Sequence, residues 1–177
     1  MTPHFLSDFS AKSVKGKFFH FVGIGGCGMS GLSRLIDRIG GIVGGTDSTE
    51  TSITKDLIND GIQVSYIQDG STISKNTSVI VYSAAIPPEH PEIQRGDLLG
   101  IPIVSYAQML GFVQSQHTSI CIAGTHGKST TVSLLSSILI QTGLDPSFIV
   151  GANCNQIGGS SHVGADKIPK GKFAGER

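Results

Sequence analysis

Two glycine-rich turns constrain the fold of this chain more than any other feature. Each follows a short apolar run and precedes a segment whose apolar residues recur at helical spacing. The turns span 23–31 and 124–127, and each is therefore predicted to join a strand to a helix. Glycines let backbone N–H groups converge at a helix N-terminus, where the helix dipole favours negative charge. The sequence therefore predicts an α/β protein with two phosphate-binding turns.

The second turn carries the residue types of a triphosphate site. A strand is predicted over 119–122 and a helix over 128–141, and the turn lies between them. The Lys128 ammonium would reach the β- and γ-phosphates of ATP, and a neighbouring hydroxyl would hold Mg²⁺. The general P-loop pattern has one more glycine, at the position of Ile122, so this loop is shorter. The candidate ATP-binding residues are Gly124, Thr125, His126, Gly127, Lys128, Ser129 and Thr130. A glycine-rich turn with a solvated lysine is the alternative.

The first turn contains the pattern G-x-G-x-x-G, at Gly23, Gly25 and Gly28. Asp47 follows at the end of the second predicted strand. In a dinucleotide-binding protein, this pattern places a diphosphate at the helix N-terminus and the carboxylate on a ribose hydroxyl. The same glycine N–H groups would serve any nucleotide diphosphate, and Asp47 is equally consistent with a helix-capping or turn residue.

Short apolar runs alternate with helical segments along the first two thirds of the chain. This alternation predicts a parallel, Rossmann-like sheet with helices on both faces. We expect a mobile arm over 1–16, a first domain over 17–116 and the truncated start of a P-loop ATPase domain over 117–177. The predicted strands are 18–22, 42–45, 62–66, 78–82 and 101–104, followed by 119–122 and 148–150.

Composition excludes several classes of function. Thirteen basic and thirteen acidic residues balance, so nothing indicates a nucleic-acid partner. No apolar run has the length of a signal peptide core or a membrane span, and we expect a cytoplasmic protein with no membrane partner. The three cysteines form no C-x-x-C motif, so reduced thiols are expected rather than a zinc site.

Taken together, the motifs resemble those of the Mur ligases of peptidoglycan synthesis. The resemblance rests on the first turn, on Gly45-Thr46-Asp47, on Ser83-Ala84-Ala85-Ile86 and on the second turn. It implies a UDP-sugar domain, a central ATPase domain and a C-terminal domain that is missing here. It implies the following UDP-sugar ligands: Gly25, Gly26, Gly28, Met29, Ser30, Asp47, Ser83, Ala84, Ala85 and Ile86. It also implies Lys128 as the catalytic residue and Ser129, Thr130 and Glu176 as metal ligands.

The alanine-adding branch of the family is the one this chain is most similar to, since His126 stands in its second turn and Gly-Ile-Gly-Gly-Cys-Gly-Met in its first. The murein-tripeptide recycling ligase shares the histidine but typically departs from that first turn. That similarity implies ATP-dependent joining of L-alanine to the lactyl carboxylate of UDP-N-acetylmuramate, through an acyl phosphate. The chain by itself is expected to bind and not to turn over. The alternatives are a murein-tripeptide recycling ligase, an NAD-dependent oxidoreductase and a non-catalytic nucleotide-sugar sensor. One departure concerns Tyr106, which stands where the family usually has arginine.

Overall fold

The computed structural model describes residues 14–164, and its centre is a five-stranded parallel sheet in the order β3-β2-β1-β4-β5. The strands of this sheet are β1 (Phe18–Val22), β2 (Ile42–Thr46), β3 (Gln63–Ser65), β4 (Thr77–Tyr82) and β5 (Ile103–Ser105). The helices are α1 (Cys27–Arg38), α2 (Ser52–Asn59), α3 (Pro91–Leu99), α4 (Tyr106–Ser115) and α5 (Lys128–Gln141). A short 3₁₀ turn (Asn155–Ile157) lies between β6 (Phe148–Ile149) and β7 (Ser161–His162), which pair antiparallel.

Side chains alternate between the two faces of the sheet because successive residues of a strand point in opposite directions. Phe19 and Phe21 of β1 belong to the main core cluster, together with residues of α1, α2 and α4. Val22 of the same strand belongs to a second cluster with Ile80 and with Ile93 of α3. Helices therefore cover both faces of the sheet, which confirms the predicted α/β class.

The start of α4 is fixed without a connecting loop. Ser105 is both the last residue of β5 and the N-cap of α4, and its Oγ accepts a hydrogen bond from the Gln108 N–H at 3.3 Å. The Gln108 side chain accepts from the Ser105 N–H at 2.8 Å, which completes a capping box. Tyr106 is consequently held at the carboxyl edge of the sheet.

The strand predicted over 119–122 is wrong for the region that the structure describes. The backbone from 118 to 124 has no regular structure, and the Ile120 side chain is 65% exposed. A parallel strand requires a hydrogen-bonded neighbour, and within residues 14–164 no strand pairs with this segment. The helix that follows, α5, forms with the predicted bounds, but its apolar residues Leu134 and Ile138 are exposed.

The β6–β7 hairpin packs on α1 through a glycine. A Cβ on Gly31 would lie 2.8 Å from the Ser161 Cβ and 3.0 Å from the Ile149 Cγ1, so only a residue without a side chain allows this approach. An open groove of about 620 Å³ is lined by the hairpin region, the C-terminal half of α1 and α2. It lies at the opposite end of α1 from the first glycine turn.

In the described part of the chain, none of the helices combines the length and the apolar character needed to cross a membrane. The thiols of Cys27, Cys121 and Cys154 are all free.

Candidate functional site

The order of the strands reverses between β1 and β4. The chain runs outward from β1 through β2 to β3 and then returns to form β4 on the other side of β1. In open parallel sheets, this reversal leaves a crevice at the carboxyl ends of the two strands, where ligands bind. Here the crevice is bordered by the first glycine turn after β1 and by residues 83–86 after β4.

Asp47 holds the first glycine turn in place. The Gly25 N–H donates to Asp47 Oδ2 at 2.8 Å, and the Thr49 N–H donates to Oδ1 at 3.2 Å. The turn is also tied to β2, because the N–H groups of Gly23 and Ile24 both donate to the Thr46 carbonyl, at 2.8 and 2.9 Å. A Cβ on Gly25 would lie 2.8 Å from Asp47 Oδ2, so a side chain at this position would displace the carboxylate.

The first turn of α1 presents free backbone donors. Gly26 is the N-cap, with no side-chain cap hydrogen bond, and the first turn contains no acidic residue. Over the described residues, the N–H groups of Cys27, Gly28 and Met29 have no hydrogen-bond acceptor. Unpaired N–H groups at the positive end of a helix are the kind of donor that a bound anion requires.

Residues 83–86 lie directly against the glycine turn. The Ser83 Oγ is 3.3 Å, and the Ile86 Cδ1 is 3.8 Å, from the position that a Cβ on Gly23 would occupy. The Ser83 N–H donates to the Val22 carbonyl at 3.3 Å, which fixes this segment to the end of β1, and Ala84 and Ala85 are exposed. The structure thus brings the first turn, Asp47 and 83–86 together at one edge.

Two of the predicted ligand residues turn their side chains away from this edge. Met29 is 3% exposed and packs in the main core, so only its N–H faces the crevice. Ser30 is fully buried, its Oγ donates to the Cys27 carbonyl at 3.1 Å, and its N–H donates to the Gly26 carbonyl. Because both donors of Ser30 are already bonded inside the helix, its predicted role as a ligand is not supported by this geometry.

A buried carboxylate joins the middle of β1 and the carboxyl end of β2 to α3. Glu92 Oε1 is 2.9 Å from His20 Nε2, and the Thr46 hydroxyl donates to Glu92 Oε2 at 2.6 Å. All three side chains are at most 2% exposed. His20 is therefore a core histidine with a buried partner, and Glu92 sits in the first turn of α3, where the helix dipole favours negative charge.

The second turn leads directly into α5. Gly127 is the N-cap of α5 with φ 76°, in the left-handed region that favours glycine, and the turn is exposed. Lys128 Nζ donates to the Gly124 carbonyl at 2.6 Å and to the Thr125 carbonyl at 3.2 Å, so the ammonium lies over the loop. Glu176 lies outside the described residues, and residues 14–164 contain no cluster of three or more His, Cys, Asp or Glu that could hold a metal ion.

A family model described as "Mur ligase family, catalytic domain" matches residues 18–118, which is more than half of the chain. This chain belongs to the Mur ligase family. The match covers the whole parallel sheet and therefore the crevice described above.

Individual relatives agree with this assignment. Over 148 residues, this Mur ligase chain is 42% identical to the UDP-N-acetylmuramate–L-alanine ligase of Lachnospira eligens, covering 83% of this chain and 32% of that protein. It is 39% identical over 149 residues to the enzyme of the same name from Methylibium petroleiphilum, covering 84% and 32%. The chain therefore spans about a third of the length of the curated relatives it matches.

Solved structures of the family share the fold. The UDP-N-acetylmuramate–alanine ligase of Thermotoga maritima has a TM-score of 0.76 at 25% identity, over 82% of this chain and 34% of that one. The UDP-N-acetylmuramate:L-alanyl-γ-D-glutamyl-meso-diaminopimelate ligase of Neisseria meningitides has a TM-score of 0.74 at 31% identity, over 82% and 46%.

Sequence reasoning missed Glu92, and it noted Tyr106 only as a departure from the family pattern, with no role at the site of this Mur ligase chain. Glu92 follows Pro91 at a helix start, where a carboxylate is ordinarily solvated. The one available signal was His20: a histidine inside an apolar strand needs a buried hydrogen-bond partner, and Glu92 is that partner. Tyr106 reaches the first turn of α1, where a Cβ on Gly28 would lie 2.8 Å from its hydroxyl oxygen.

Proposed function

We propose that this chain carries the nucleotide-binding parts of an ATP-dependent ligase that joins L-alanine to the lactyl carboxylate of UDP-N-acetylmuramate. One observation carries the proposal. At the strand-order reversal, three free N–H groups at the start of α1 lie beside Asp47 and 83–86, on a chain of the Mur ligase family. The names of the relatives at 36–42% identity support the choice of alanine and of the UDP-sugar.

The UDP-sugar would bind across the carboxyl edge of the sheet. The diphosphate is assigned to the N–H groups of Cys27, Gly28 and Met29, because an anion there meets three donors and the helix dipole. The uridine end is assigned to Asp47 and to 83–86. Each Asp47 oxygen accepts one N–H and keeps a lone pair for a ribose hydroxyl. These residues bind and orient the substrate, so the first domain, proposed as 17–116, needs no nucleophile of its own.

The second turn fits the triphosphate of ATP. Gly124 and Gly127 leave the loop backbone open, and α5 begins directly after it. Lys128 would exchange its two carbonyl acceptors for phosphate oxygens, and the hydroxyls of Ser129 and Thr130 are the proposed Mg²⁺ ligands. ATP, when bound, supplies the phosphoryl group that activates the lactyl carboxylate for attack by the amine of alanine. Lys128 then neutralises charge on the phosphates, which is the main source of catalysis in such transfers.

Isothermal titration calorimetry on the 177-residue chain tests the binding proposal. We expect UDP-N-acetylmuramate to bind and NADH not to bind. Gly25→Ala should weaken UDP-sugar binding because its Cβ would displace the Asp47 carboxylate from the turn, whereas Lys128→Ala, the matched control in the other turn, should leave it unchanged. Binding of NADH with no binding of the UDP-sugar would contradict the proposal.

A second candidate is the ligation of a tripeptide in place of alanine. It is favoured by the 31% identity to the tripeptide-adding ligase of Neisseria meningitides, which is higher than the 25% to the alanine ligase of Thermotoga maritima. The two are separated by measuring phosphate release from ATP with the full-length enzyme, UDP-N-acetylmuramate, and either L-alanine or L-Ala-γ-D-Glu-meso-diaminopimelate. We expect release with alanine; release with the tripeptide alone would select the second candidate.

A further inference from the structure

Tyr106 stands at the same edge of the sheet as the first glycine turn. Because β5 ends at Ser105 and α4 begins at the next residue, the Tyr106 backbone lies at the carboxyl end of β5. Its ring packs against the core cluster that α1 and α4 share. The hydroxyl therefore points past the core to the first turn of α1.

The absence of a side chain at position 28 makes this approach possible. A Cβ on Gly28 would lie 2.8 Å from the Tyr106 Oη and 2.9 Å from its Cζ, both closer than real Cβ contacts. Gly28 contributes one of the three free N–H groups at the start of α1. The phenol oxygen and the backbone donors thus lie side by side.

The Tyr106 hydroxyl is an available donor. Across residues 14–164 it makes no hydrogen bond, whereas the hydroxyl of Tyr66 donates to the Thr54 Oγ1 at 3.1 Å. Burial raises the pKa of Tyr106 above its ordinary value of 10.0, so at neutral pH the group is an uncharged phenol with a proton to donate. An acceptor placed at the helix N-terminus would meet this O–H together with the N–H groups.

We propose that the Tyr106 hydroxyl is a fourth hydrogen-bond donor to the diphosphate of the bound UDP-sugar. The inference rests on the proposed function and adds to it the side chain of Tyr106. This residue begins α4 directly after β5, and β5 lies two strands away from β1, which leads into the glycine turn. Backbone N–H groups alone would bind any anion. The Tyr106 hydroxyl would add a directional hydrogen bond that recognises the diphosphate. Specificity for a diphosphate over the bare nucleoside should consequently depend on this hydroxyl.

The test compares UDP with uridine, which lacks phosphates, on the wild-type chain and on Tyr106→Phe. The substitution keeps the packed ring and removes only the oxygen. Titrations are followed by calorimetry for UDP and by NMR for uridine. We expect Tyr106→Phe to weaken the binding of UDP by roughly tenfold or more, as for a lost hydrogen bond to a charged group. The affinity for uridine should stay unchanged. Tyr66→Phe, which removes a hydroxyl that bonds within the protein, should leave the ratio of the two affinities unchanged.

The outcomes separate this inference from the proposed function. If wild type binds UDP and Tyr106→Phe binds it equally well, the hydroxyl is not a ligand and the inference is overturned. If Tyr106→Phe weakens UDP and uridine by the same factor, the residue acts through packing alone and the inference is again overturned. If the wild-type chain binds no UDP, the proposed function fails and the inference fails with it.

Discussion

Replacing Glu92 by alanine should destabilise the sheet more than any change at an exposed position. Glu92 is fully buried and accepts hydrogen bonds on both oxygens, from the Thr46 hydroxyl and from His20, with a further bond from the Thr72 hydroxyl at 3.2 Å. Removing the carboxylate leaves the His20 ring and the Thr46 hydroxyl buried without their acceptor. Thr72 is exposed and can bond to water instead.

The magnitude follows from those two orphaned groups. Each buried polar group without a partner costs about 1–3 kcal/mol, so Glu92→Ala should lower the free energy of unfolding by about 2–6 kcal/mol. A small domain has about 5–15 kcal/mol in total, so the variant would be close to unfolding. Glu92→Gln keeps the volume and one acceptor oxygen, and should lose about 1–2 kcal/mol.

The assay is urea unfolding followed by far-UV circular dichroism, because the chain contains no tryptophan for fluorescence. Glu89→Ala is the matched control: it removes a carboxylate three residues earlier that is exposed, and it should change the free energy by no more than about 0.5 kcal/mol. A loss below about 1 kcal/mol for Glu92→Ala would refute the argument, since the network would then not depend on its buried acceptor.

Three further predictions concern other parts of the structure. Gly45→Ala should prevent correct pairing of β1 with β2, because its Cβ would overlap the Phe21 carbonyl oxygen. The variant should lose the cooperative thermal unfolding transition, and a transition near that of wild type would contradict this. Lys128→Met should weaken ATP binding by roughly tenfold or more and leave UDP binding unchanged, both measured by calorimetry. If the variant binds ATP as tightly as wild type does, Lys128 is not an ATP ligand. Above about pH 10, the free energy of unfolding should fall as pH rises, because burial raises the pKa of Tyr106 and the folded chain retains a proton that the unfolded chain has lost. In Tyr106→Phe, the free energy of unfolding should fall less between about pH 9 and about pH 11, as measured by urea titrations at each pH. An equal fall in the wild type and in the variant would contradict the assignment.

The parallel sheet was predictable because its strands are short apolar runs bounded by glycines. β1 forms over the predicted range, and α5 forms over 128–141 as the spacing of its apolar residues indicates. The strand predicted over 119–122 failed for a physical reason. An apolar run indicates a tendency to be buried, but strand formation also requires a neighbouring strand, and no strand within residues 14–164 pairs with this segment.

The candidate site was predictable in part. The positions of the first turn and Asp47 followed from a local pattern, since glycines, a helix start and an acid at the end of the next strand lie close in sequence. The contacts of Glu92 with His20 and of Tyr106 with Gly28 join elements far apart in the chain. Their pairing depends on strand order, which periodicity alone does not specify.

The central claim is that the free N–H groups at the start of α1 bind the diphosphate of a UDP-sugar. The most direct test is ¹H–¹⁵N NMR of the chain during titration with UDP-N-acetylmuramate. The account predicts that the amide resonances of Cys27, Gly28 and Met29 shift most, with smaller changes at Asp47 and Ser83. Saturable binding that leaves those three amides unmoved, and perturbs only residues elsewhere, would contradict it.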